Sequence, residues 1–222
     1  MTSNSSNTMT LLVTGFEPFG GSTLNPSQAV VEALADGEAD LPCVELSTAL
    51  LPVDTSVISA VVDALWAKHD PDIVLHLGES AKADRLTLER VALNLLDFDT
   101  PDNAGANVVD QPIDPAGPAA RFATLPVRSL HDQLKAAGIA SEISLSAGAY
   151  LCNQTLYLSL AHGEQRGGRQ VGFVHVPSLP EQVALGERKA PAMPREQLVE
   201  QIHRLILLAI RDQSADKAKD GY

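Results

Sequence analysis

Short apolar runs alternate with segments of helical spacing along most of the chain. Thr10 to Phe16 (TLLVTGF) is an apolar run closed by a Gly- and Pro-rich loop, which predicts a strand. Asn25-Pro26 reads as the cap and first residue of a helix that continues through AVVEAL to near Gly37. Val44 to Val53 is a second strand. Asp54 to His69 carries Val57, Ile58, Val61, Val62, Leu65 and Trp66 at helical spacing. Asp72 to Leu77 (DIVLHL) is apolar throughout, as in a strand covered on both faces. Arg85 to Leu95 alternates and predicts one further strand. Val127 to Ala137 returns to a helix ended by Gly138, followed by a strand over Glu142 to Ala147 and a helix over Asn153 to His162. Gln170 to Val176 is a strand with Pro177 and Pro180 just beyond it, and Pro194 to Ser214 is a long amphipathic helix.

Alternating strands and helices predict an α/β fold with a mostly parallel sheet, helices on both faces. The chain reads as a tail over 1–9, one domain over 10–214 and a second tail over 215–222. Phe98 to Ala120 is aperiodic and rich in Pro, Asp, Asn and Gly. So long a loop inside a compact domain is commonly functional. Working residues of such sheets gather at the carboxyl ends of strands. That rule singles out Gly15–Gly21, Gly78–Lys82, Ser146–Cys152 and His175–Pro180.

Composition narrows the function classes. A formal net charge of -12 argues against nucleic acid and against an anionic membrane surface. The apolar share of 45% suits a folded core, and no apolar run is long enough to span a bilayer. The first residues lack the basic and apolar regions of a secretory signal. Two cysteines, Cys43 and Cys152, give neither a disulfide framework nor a metal site of known spacing. A reduced, cytoplasmic protein without a metal is expected.

Cys152, in SAGAYLCNQTLY, stands where strand, turn and helix meet. The free N–H groups and positive dipole end of a helix start favour a thiolate and can hold an oxyanion. A small buried thiol is the other reading of the same residue. His175, in GFVHVPSLPEQ, has the best address of six histidines because it ends a strand, and beside Cys152 it would serve as general base. His76 reads as a hydrogen-bonded core residue, His69 as a helix-end residue, and His131, His162 and His203 as surface residues on helices. Glu89 interrupts LTLERVALNLL, either facing outward from an edge strand or orienting the histidine. GFEPFGGS lacks the Walker and dinucleotide patterns, but its Phe16 and Phe19 would suit the wall of a small apolar pocket.

Five pieces in order, VTGFEPFGG with NPS, ERVALN, PDNAG, SAGAYLCN and GFVHVPSLPEQ, resemble the pyroglutamyl peptidase I family from about Leu11 to Gln182. The resemblance implies a three-layer α/β/α sandwich and a cytoplasmic, often tetrameric cysteine exopeptidase without a cofactor. Its substrates would be peptides that begin with pyroglutamate. It further implies Cys152 as nucleophile, His175 as its base and Glu89 as the acid. The ring pocket it implies uses Phe16, Phe19 and Tyr150, with Asn25 either contributing to it or merely capping a helix. One stretch departs: GESAKADR, from Gly78, puts Glu79 where the family commonly has Gln and lacks the glycine pair. Glu79 is therefore expected at the substrate, as a residue able to pair with a cation. Two alternatives remain at this stage, a non-catalytic pyroglutamyl-binding paralogue and a nucleoside phosphorylase-like enzyme on a similar sandwich.

Overall fold

The computed structural model describes residues 8–219 except 43 and 190, so Cys43 and most of the expected N-terminal tail lie outside the described residues. Eight strands and six helices follow in the order β1 (Met9–Phe16), α1 (Pro26–Ala35), β2 (Val44–Leu51), α2 (Ile58–His69), β3 (Ile73–Glu79), β4 (Leu86–Glu89), β5 (Val91–Leu93), β6 (Ala120–Phe122), α3 (Val127–Ala136), β7 (Ser141–Ser144), α4 (Leu151–Gln165), β8 (Gln170–Val176), α5 (Pro180–Ala184) and α6 (Arg195–Lys219). The main sheet has the order β2-β1-β3-β8-β4-β7. Its first four strands are parallel. β4 and β7 are parallel to each other, and β4 is antiparallel to β8.

Alternation within the strands feeds two cores. Leu11, Val13, Ile73, Leu75, Leu77, Val174 and Val176 face α1, α3 and α6. Leu12, Phe16, Val74, Val171 and Phe173 face α2 and α4. A strand buried on both faces is apolar throughout, and every residue of β3 is indeed buried. Its polar members are Glu79, at the strand's end, and His76, satisfied by Thr14 Oγ1 at 2.6 Å and Ser159 Oγ at 2.7 Å.

Several boundaries differ from expectation for local reasons. Arg85 to Leu95 is two strands: β4 joins the main sheet, whereas β5 pairs only with β6 in a separate antiparallel ribbon. α2 starts at Ile58 because the Asp54 side chain is spent on a turn, accepting from Ser56 N at 2.9 Å and Ser56 Oγ at 2.6 Å. α4 starts at Leu151, before Asn153, since the Asn153 amide reaches sideways to Leu93 and Leu95 and caps nothing. Pro180 opens the short helix α5 as its first residue, where its missing N–H is harmless. α6 continues to Lys219, into the stretch expected as a tail.

Candidate active site

The start of α4 is open. Its cap residue, Tyr150, makes no side-chain cap hydrogen bond, so the first-turn N–H groups keep their positive end free. Gly148, at φ +82°, makes the turn that leads the chain from β7 into the helix. Asn153, fully buried, then pins the first turn against β5 by accepting from Leu93 N and donating to the Leu93 and Leu95 carbonyls at 2.8–3.0 Å. Cys152, half-buried and a free thiol, is thereby held at the second helical position.

His175 stands one residue before the end of β8 and faces the α4 side of the sheet. In register it lies beside Gly78 on β3 and Thr87 on β4. Its Nδ1 is 2.8 Å from Glu89 Oε1, a diagonal neighbour across the antiparallel β4–β8 pair. Glu89 is only 2% exposed, so the outward-facing reading is wrong: β4 lies inside the sheet, and pairing opposite Phe173 points the carboxylate to the same face as His175. Its Oε2 has no hydrogen-bond partner among the described residues, which leaves His175 as the carboxylate's one ionic partner there. Burial works to lower the His175 pKa. The charge and hydrogen bond of Cys152, then those of Glu89, outweigh it and raise the value from 6.5 to about 10. The three residues named from the sequence thus form one chain of contacts, Cys152–His175–Glu89.

Gly78 makes room for that chain. A Cβ there would lie 3.0 Å from Cys152 Sγ and 2.7 Å from Phe173 Cζ. Phe173 in turn packs against His175, ring centroids 4.8 Å apart.

A narrow pocket opens beside Cys152, lined by Phe16, Phe19, Asn25, Val53, Tyr150 and Glu79. The Phe19 and Tyr150 rings lie 6.2 Å apart, and Phe98 packs edge-on against Tyr150 at 4.6 Å. Asn25 lines the pocket while capping α1: its Oδ1 accepts from Ser27 N and Ser27 Oγ, and its amide holds the Glu17 carbonyl at 3.0 Å. Glu79, expected as a residue able to pair with a cation, already has one within the protein. Arg188 Nε meets its Oε1 at 2.9 Å, and Ser178 and Gln182 donate to it as well. A wider depression of about 510 Å³ adjoins on the other side of His175, between Glu79, Thr87, Glu89 and Glu142.

The long loop braces the pocket. Asp102 accepts from Thr55 N and Oγ1 and from Ala104 N and Ala106 N at 2.7–3.0 Å, which holds its carboxyl below the usual range despite desolvation. Asn103 donates to Glu17 Oε1 and the Pro18 carbonyl, at the root of the Phe19 loop.

The remaining histidines are engaged elsewhere. Burial pushes His76 down to about 3, so it stays neutral. His162, expected at the surface, stacks on Trp66 and bonds Asp63 Oδ1 at 2.6 Å. Sequence reasoning named Gly78 only as a strand end and Phe98 only as the start of the long loop, and it missed Asn153 and Arg188. Asn153 sits next to Cys152, already singled out; Arg188 carries no local signal at all.

Comparison with known proteins agrees across the chain. The model of the family described as pyroglutamyl peptidase matches residues 9–212. A pyrrolidone-carboxylate peptidase of Vibrio vulnificus is 40% identical over 212 residues, 95% of this chain and 97% of that one. One from Pyrococcus furiosus is 37% identical over 92% of this chain and 99% of its own. A solved structure of a mutant pyrrolidone carboxyl peptidase from the same hyperthermophile superposes with a TM-score of 0.86 at 36% identity, covering 92% of this chain and 100% of that one.

Proposed function

The chain belongs to the pyroglutamyl peptidase family, and with membership goes hydrolysis of an N-terminal pyroglutamate from peptides; we propose that Cys152, His175 and Glu89 carry out that reaction here. The observation that carries the assignment is the buried Glu89–His175 contact at 2.8 Å beside a thiol at an uncapped helix start. With its pKa raised to about 10, His175 holds the proton at neutral pH and faces Cys152 as an imidazolium. The sulfur attacks the pyroglutamyl carbonyl, and the α4 N–H groups receive the oxyanion. Collapse of the tetrahedral intermediate breaks the C–N bond as His175 passes its proton to the leaving amine. A water then attacks the thioester while His175 takes its proton, and collapse of the adduct breaks the C–S bond, releasing pyroglutamate and restoring the Cys152 thiolate beside the imidazolium. Glu89 fixes the ring and stabilises its cationic form.

Phe16, Phe19 and Tyr150 form the apolar wall for the lactam ring. Such a wall strips water from whatever enters, and an unpaired ammonium is costly to strip. Pyroglutamyl-arylamide should therefore be cleaved, while glutaminyl- and prolyl-arylamides, both cationic, are left intact. Comparable kcat/KM for glutaminyl and pyroglutamyl substrates would show that the apolar-wall argument is wrong.

A cytoplasmic location and a homo-oligomer, a tetramer by family resemblance, complete the proposal. A reducing cytosol keeps a free thiol nucleophile in its active form, and Phe122, 66% exposed, and Leu185, 63% exposed, are apolar side chains suited to a subunit contact. Light scattering on the purified chain tests the assembly, and a monomer at micromolar concentration would refute it.

A further inference from the structure

Glu79 lines the proposed ring pocket, yet its carboxylate is served from behind it. The Arg188 guanidinium forks onto it, Nε to Oε1 at 2.9 Å and Nη2 to Oε2 at 3.2 Å. Ser178 Oγ donates to Oε1 at 2.7 Å, and Gln182 Nε2 reaches both oxygens at 3.2 and 3.3 Å. Both charges are withdrawn from water, their side chains being 1% and 12% exposed. A carboxylate has about four lone-pair sites; the two Arg188 N–H groups and Ser178 take three, and Gln182, whose amide also reaches Ser22 Oγ and the Leu24 carbonyl at 3.0 and 3.1 Å, shares what remains.

Arg188 also holds the opposite wall. Its guanidinium carbon lies 5.4 Å from the centre of the Phe19 ring, and Nη2 approaches the Phe19 carbonyl at 3.4 Å. The preceding residue grips the same loop: the Glu187 carboxylate accepts from Ser22 Oγ, Thr23 N and Thr23 Oγ1 at 2.6–3.1 Å. The segment after α5 therefore acts as a strap that ties the Phe19 loop to the end of β3.

We propose that Arg188 is a specificity-setting positioning residue, which neutralises Glu79 and seats Phe19 so that the pocket presents an uncharged wall to an uncharged lactam. The inference rests on reading this pocket as the ring site. A glutamate at the mouth of β3 would otherwise repel the lactam oxygen and attract a protonated amine. The ion pair cancels that preference, and so reconciles an acidic residue with a neutral substrate. Arg188 need not touch the substrate; it acts through its two neighbours.

A double-mutant cycle tests this. Arg188→Met leaves Glu79 unpaired, Glu79→Gln leaves Arg188 unpaired, and the double variant restores neutrality without charge. KM for pyroglutamyl-arylamide should rise by about tenfold or more in each single variant with a much smaller change in kcat, and should fall back towards wild type in the double. The ratio of prolyl- to pyroglutamyl-arylamide cleavage should rise in Arg188→Met alone. Arg188→Lys, which keeps the charge and loses the fork, should lie between. Melting curves identify any variant that loses its fold, and the double and Lys variants decide the matter if Arg188→Met does. Wild-type KM and selectivity in Arg188→Met, or a folded double variant no better than the singles, would overturn the proposal. Failure of the ring-site reading would look different: Phe19→Ala and Phe16→Ala would then leave KM unchanged.

Discussion

Adding one methyl group at Gly78 sets the packing of the sheet against the position of the thiol. An alanine Cβ would lie 2.7 Å from Phe173 Cζ, 3.1 Å from Phe173 Cε1 and 3.0 Å from Cys152 Sγ. Ordinary carbon contacts are about 3.5–4.0 Å, so something must retreat by about 1 Å. The Phe173 ring is 1% exposed and held between Phe16, His76 and His175, with centroids 6.4, 6.3 and 4.8 Å away. If the ring yields, it pushes on His175; if it stands, the sulfur is displaced. Either movement disturbs the contact between thiol and imidazole. Overpacking of this kind costs roughly 1–3 kcal/mol of stability, a melting shift of about 2–4 °C for each kcal/mol in a chain of this size. A misplacement of about 1 Å costs on the order of 10²-fold in rate. Gly78→Ala should therefore fold, melt several degrees lower and lose about two orders of magnitude in kcat, with KM less affected. Steady-state kinetics on pyroglutamyl-arylamide, alongside a melting curve and the alkylation rate of Cys152, measure all three. Wild-type kcat in a folded Gly78→Ala would refute the claim that this glycine reserves space for the nucleophile.

His175→Ala should lose nearly all of kcat, while Glu89→Gln loses less, within the roughly 10²–10⁴-fold of a general acid–base contribution; a folded and fully active Glu89→Gln would contradict the role given to the carboxylate. His76 has a folded pKa of about 3 against 6.5, so its contribution to stability is present above about pH 6.5 and is lost as pH falls towards 3. Denaturation midpoints between pH 7 and 4 should fall more steeply for wild type than for His76→Asn, by up to about 1.4 kcal/mol per pH unit. His175 has the opposite sign: its raised pKa stabilises fully below about 6.5 and loses that contribution as pH rises towards 10, a slope that His175→Ala should lack. Asp102→Ala removes the acceptor of four hydrogen bonds and should raise KM and quicken proteolytic nicking within residues 98–120; unchanged nicking would separate that loop from the pocket.

The sequence carried the layers of this fold because each element's own period records how many of its faces are covered. β3 reads as buried on both sides and is; α1 begins where Asn25-Pro26 says it should. What failed was partnership. Nothing in LTLERVAL states that its first half pairs with β8 and its second half with β6, and the register that sets Glu89 opposite Phe173, on a strand inside the sheet, is what turns it inward. The strand-end rule does not list Glu89, since it presumes a parallel strand and β4 runs antiparallel to β8. Cys152 and His175 were legible because a helix start and a strand end are local facts. Arg188 was not, since its meaning lies in Glu79, which is 109 positions away in the chain. Glu79 is legible in the sequence as a departure able to pair with a cation, but which cation it meets is set by tertiary structure alone.

The account stands most directly on Cys152. A thiol-alkylating reagent, added in sub-stoichiometric steps near neutral pH, should abolish release of the chromophore from pyroglutamyl-arylamide in proportion to label found on the peptide containing Cys152. Cys43→Ser should behave like wild type throughout, and Cys152→Ser should release nothing above background. Full activity in Cys152→Ser, or activity that persists once Cys152 is stoichiometrically labelled, would contradict the assignment of the nucleophile and the mechanism built on it.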